Sequence, residues 1–188
     1  MKTTKSFIII WTFIGFLLNL LALFTPFELP LFDIADKTNT TYLRMGISFQ
    51  VASNLFISCV SGATPAKYAQ ILYLIIGIFG EPLYMTGNSY DMTQDPSWGY
   101  VIGSFGASER AGEKAFEKKL SLLNILISSY SGLFVIHAYG AIGLLLHSKS
   151  WEHWKSYLIM YSLIPLPSQL VMIFLTSILA FLFRKILD

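Results

Sequence analysis

The chain has 188 residues, 54% hydrophobic and only 13% charged, with a formal net charge of +2 and a mean hydropathy of +0.59. A soluble domain carries roughly 25% charged residues, so this composition excludes an ordinary water-soluble enzyme or binding module. The small net charge, without a basic face, excludes nucleic-acid binding, and the single cysteine, Cys59, excludes an internal disulfide.

A hydrocarbon core about 30 Å thick is crossed by a helix of about 20 apolar residues, so the chain reads as one transmembrane domain over 1–188, all-α, with about six spans. The apolar run from Phe7 to Phe24 follows Lys2 and Lys5. It is longer than the ~7–15-residue core of a signal peptide and reads as a retained first helix, 6–25. A second helix is expected over 42–61, carrying Gln50 and Asn54 among apolar neighbours, and a third over 66–80, with Tyr73 in its middle.

The third helix breaks at Gly80-Glu81-Pro82, and helix resumes near Gly99. Between the breaks lie Tyr84, Asn88, Tyr90, Asp91, Gln94, Asp95 and Trp98, with no Lys or Arg. An aromatic, amide-rich loop punctuated by Gly and Pro suits a lid over a small-molecule pocket; an ordinary extramembrane connection has the same composition. The fourth helix, 99–118, runs from Gly-rich apolar sequence into Glu109, Arg110, Glu113, Lys114, Glu117 and Lys118, a segment for the headgroup region, where neighbours of opposite sign compensate. The fifth and sixth are expected over 120–147 and 157–184. With six spans, Lys2, Lys5, Lys67, Arg110, Lys114, Lys118, Lys119, Arg184 and Lys185 share one side, against Lys37, Arg44, Lys149 and Lys155 on the other. The excess of cations places both termini in the cytoplasm and turns the 81–98 loop outward.

No phosphate-binding loop, zinc-protease helix motif, nucleophile elbow or cysteine pair is present. No cofactor or metal site is therefore expected, and an integral-membrane enzyme ranks last among the readings. His137 is the one histidine inside a span; such a residue has either a specific role or a bond to a neighbouring Ser or Tyr hydroxyl. What remains is uncharged polarity: Asn19, Gln50, Asn54, Gln70, Tyr73, Asn124, Tyr130, Tyr139 and Gln169. Amides offer donors and acceptors together, which fits a neutral polar ligand such as a urea ring; equally, they join helices inside a bilayer. Asn19 and Asn124 are expected to be such interhelical links.

Several segments resemble one family. Ile47-Ser48-Phe49-Gln50 stands where that family opens its second helix with an Ile-Thr-Leu-Gln-like tetrad, and Gly62-Ala63-Thr64-Pro65 matches its Gly-Pro-like turn. Leu72-Tyr73-Leu74, Gly77-Ile78-Phe79-Gly80-Glu81-Pro82 and Pro96-Ser97-Trp98-Gly99-Tyr100-Val101-Ile102-Gly103 follow in order, and Gly132 to Gly140 is similar to the fifth-helix pattern. Over roughly 40–185 the chain resembles BioY, the biotin-binding S component of energy-coupling-factor (ECF) vitamin importers.

The resemblance implies uptake of biotin or a biotin-like vitamin, with Gln50, Tyr73, Tyr84, Asn88, Tyr100 and Gln169 lining the pocket. It also implies partners: a membrane-embedded ECF coupling subunit and two ATPases, none encoded in this chain. Two departures stand out. The family's last helix opens with Pro-Gly-Asp-Leu-x-Lys, whereas Pro167-Ser168-Gln169-Leu170-Val171-Met172 occupies that stretch here. The first helix offers Gly15-x-x-x-Asn19 where an Ala-x-x-x-Ala-like groove usually meets the coupling subunit. These departures suggest, as the alternative, a non-transporting membrane scaffold built on the same fold.

Overall fold

A computed structural model describes residues 4–32, 40–79 and 95–187. Helix α1 (Lys5–Leu23) begins where the Thr4 hydroxyl accepts from the Phe7 amide at 3.3 Å, a side-chain N-cap. It stops three residues before Pro26, close to the expected end. Strands β1 (Pro26–Phe32) and β2 (Thr40–Ser48) then form a two-stranded antiparallel sheet, with a register shift between Phe27 and Glu28. The hairpin corrects the expected second helix: 42–48 is strand, and α2 (Gln50–Ser61) begins only at Gln50. Thr40, Thr41, Tyr42 and Ile47 are β-branched or aromatic, the residue types that suit a pleated surface better than a helix. Of the Ile47-Ser48-Phe49-Gln50 tetrad, only Gln50 is helical.

Between α2 and α3 (Ala63–Phe79) stands Gly62 alone, at φ +90°, a backbone conformation that glycine adopts without steric cost. The expected 62–65 turn is therefore shorter, and Thr64 and Pro65 belong to the first turn of α3, where proline is tolerated. Helix α4 (Trp98–Glu117) is continuous, close to the expected 99–118. Its Gly99, Gly103, Ala107, Ala111 and Ala115 recur every fourth residue and are buried. They let α5 (Leu122–His147) approach to backbone distance: a Cβ on Gly99 would lie 2.6 Å from the Tyr139 carbonyl oxygen and 2.9 Å from the Gly143 Cα. The charged face of α4 is held in part by Glu109, which receives Lys67 of α3 at 2.6 Å.

The expected sixth helix, 157–184, is broken in two. Helix α6 (Trp151–Leu158) runs into a π turn (Ile159–Leu163), and α7 (Leu166–Leu187) follows. Pro165 and Pro167 lack the amides a continuous helix needs, and the turn closes through Ile164 N–H to the Ile159 carbonyl at 2.9 Å.

Leu55, Cys59, Ala107, Ala111, Ile125, Ile136 and Ile173 form the main apolar core. Large apolar side chains face outward on every long helix, among them Ile9, Phe13, Leu21, Phe134, Leu146, Leu179 and Ile186. Among the described residues, Lys5–Ala22, Leu122–His147 and Trp151–Leu187 are long and apolar enough to cross a membrane. At one end of the bundle, buried Arg184 donates to the carbonyls of Ala115 (2.9 Å) and Cys59 (3.4 Å) and stacks 3.8 Å over the Phe116 ring. It thereby joins α7 to α4 and α2 through carbonyls near the helix ends.

Candidate functional site

Two polar arms sit inside this apolar bundle. The first is built by α1, α2 and α3. Gln50 opens α2, and its side chain meets the hydroxyl of Tyr73, which is 1% exposed. One turn on, the Ser53 hydroxyl donates to the buried Asn19 Oδ1 and lies 3.0 Å from the Gln50 carbonyl. Asn19 thus links helices, as expected, while its buried Nδ2 has no hydrogen-bond partner among the described residues; the Nε2 of Gln70 is in the same state.

The second arm is built by α4, α5, the π turn and α7. The Tyr100 hydroxyl lies 2.6 Å from Ser162 Oγ, and that oxygen lies 3.0 Å from His137 Nδ1. The other imidazole nitrogen, Nε2, lies 2.8 Å from Oε1 of Gln169. The Tyr100 and His137 rings meet edge to face, centroids 5.9 Å apart. Gly140 makes room for Tyr100, since a Cβ there would lie 2.3 Å from the ring. The amide oxygen of Gln169 can only accept, so His137 Nε2–H donates to it. Nδ1 of the neutral ring then accepts from Ser162, which accepts from Tyr100.

The structure therefore joins Gln50 with Tyr73, and Tyr100 with Gln169 through Ser162 and His137. Tyr84 and Asn88, and most of the loop expected to act as a lid, lie outside the described residues. Where that loop re-enters the described part, Asp95 accepts from the Ser97 amide at 2.7 Å and leads into α4. His137 was legible as the lone intramembrane histidine; it bonds a serine hydroxyl, as one of its two readings expects, and also the candidate residue Gln169. Ser162 carried no signal, being one of many serines without a pattern.

Met172 is 1% exposed and packs with Ala52, Phe49 and Val51 at the α2–α7 contact. It is a core residue. Asn54 and Asn124 are interhelical links: Asn54 Nδ2 donates to the Ser104 carbonyl at 2.9 Å and its Oδ1 accepts from Ser108 at 2.7 Å, while Asn124 Nδ2 donates to the Ala115 carbonyl at 3.1 Å. The Gly15-x-x-x-Asn19 stripe faces inward: a Cβ on Gly15 would lie 3.0 Å from both Ala69 Cβ and Ile57 Cγ2. A separate cleft of about 260 Å³ opens at the far end of α2, lined by Ser61 to Pro65, Gly112, Glu113 and Phe116.

Residues 20–188 match the model of the BioY family. The fold is similar to the crystal structure, at 2.1 Å, of the S-component for biotin from an ECF-type ABC transporter. The likeness has a TM-score of 0.71 and covers 98% of this chain and 94% of that one, at 18% sequence identity.

Proposed function

Since the chain belongs to the BioY family, we propose that it is the substrate-binding S component of an ECF-type importer and takes up biotin or a biotin-like vitamin. The family match over 20–188 carries this reading, and the two polar arms give it chemistry. Gln50 and Gln169 supply amide donors and acceptors suited to a ureido ring and a carboxyl chain. Tyr73 and Tyr100 supply apolar ring faces with a polar tip. Tyr84 and Asn88 complete the proposed set from the loop.

The protein is a membrane protein, and six crossings by a single domain are the topology we favour, with both termini in the cytoplasm and the 81–98 loop outside. The role is binding and passage of solute, with transport energy supplied by a coupling subunit and ATPases on separate chains. The inward-facing Gly15 stripe means that such a partner would meet another surface of α1, or another helix. The match to the BioY family and the likeness to an S-component for biotin favour the S-component reading over the scaffold alternative.

Calorimetric titration of the detergent-purified protein with biotin tests the proposal. Saturable binding of one ligand per chain is expected; no heat and no thermal stabilisation across the range reached by the titration would overturn it.

A further inference from the structure

Resting on that reading of the site, we propose that His137 sets the polarity of the pocket by turning the Gln169 amide so that it offers N–H donors to the ligand. A glutamine free to rotate can present either end of its amide, because the two ends are alike in size. Here one end is committed. Oε1 lies 2.8 Å from His137 Nε2 and accepts its proton both in the Nε2–H tautomer and in the imidazolium.

The ring cannot easily turn away. Its other nitrogen is held by Ser162 at 3.0 Å, Ser162 by Tyr100 at 2.6 Å, and the Tyr100 ring packs edge to face on the imidazole. The backbone reinforces the arrangement, because Ser162 sits in the π turn. π turns are rare and concentrate at functional sites. The end of the Gln169 amide turned away from His137 is therefore its NH2 group. The ligand atom that meets it is an acceptor oxygen, of a cyclic urea or of a carboxylate, rather than a ring N–H. His137 acts through Gln169 and is a positioning residue.

The first test needs no ligand. With three histidines in the chain, ¹⁵N-histidine labelling of the full-length protein resolves the His137 ring, identified by its loss in His137→Gln. A protonated Nε2 is expected. Protonation of Nδ1 alone would overturn the inference, because the amide would then have to turn its NH2 toward the ring.

The second test compares the affinity of native, His137→Leu and His137→Gln proteins for biotin, 2-iminobiotin and biotinol. The leucine variant should bind biotin about tenfold more weakly, the scale of one hydrogen bond. The glutamine variant, which keeps an N–H, should recover most of that. The loss should vanish with 2-iminobiotin if the ureido oxygen is the acceptor, or with biotinol if the carboxylate is. An equal loss for all three ligands would mean a merely structural role and overturn the inference. If the native protein shows the Nε2–H form but binds no biotin, the donor face stands and the vitamin reading falls.

Discussion

At the scale of single residues, the candidate site depends on amides whose partners lie on other helices. Gln50 touches Tyr73 across the α2–α3 contact, and Gln169 touches His137 across α7 and α5. Replacing Gln50 with Ala should weaken biotin binding by about tenfold or more and leave the thermal midpoint within a few degrees, as calorimetry and a melting curve would show. A loss of fold without a separate loss of affinity would make Gln50 a structural link only. Met172→Lys has the opposite expectation. The ammonium would be buried against Ala52, Phe49 and Val51, at a cost of several kcal/mol. Denaturation should therefore show a destabilised protein with no gain in affinity. Residue types were legible in the sequence: an amide or a histidine within an apolar run declares itself. Their pairings were not, because each pair joins positions tens of residues apart, and Ser162 had no pattern at all.

At the scale of elements, helices defined by regular small or apolar spacing were legible within a few residues. The fourth helix, expected over 99–118, is Trp98–Glu117, and the long apolar run of α5 ended at His147 as expected. Elements decided by competition were not. Residues 42–48 carry enough apolar side chains to extend a helix, yet they pair as β2 with β1. The expected sixth helix began at 157 and left out the polar stretch 151–156, and nothing in the sequence placed the π turn at Ile159–Leu163. The α4–α5 contact is the element-level feature most exposed to mutation. A Cβ at Gly140 would lie 2.3 Å from the Tyr100 ring. Gly140→Ala should therefore displace Tyr100, with a cost of about 1–3 kcal/mol from overpacking and a larger loss in biotin affinity than in stability. Unchanged affinity would separate Tyr100 from the site.

At the scale of the whole molecule, the membrane character follows from composition, and the inward-facing polar arms follow from the expense of unpaired polar groups in lipid. Cys59 is fully buried, so a cysteine introduced at either terminus would be the sole accessible thiol of this chain in intact cells, and its labelling can be followed on the purified protein. Both termini should resist a membrane-impermeant maleimide until the cells are opened; labelling from outside would reverse the topology.

The central claim, that this bundle holds biotin between its two polar arms, is tested most directly by calorimetric titration of the purified native protein with biotin. Saturable binding of one ligand per chain, weakened in both Gln50→Ala and His137→Leu, is the expected result. The absence of binding by a folded native protein would contradict it, and so would binding that neither substitution alters.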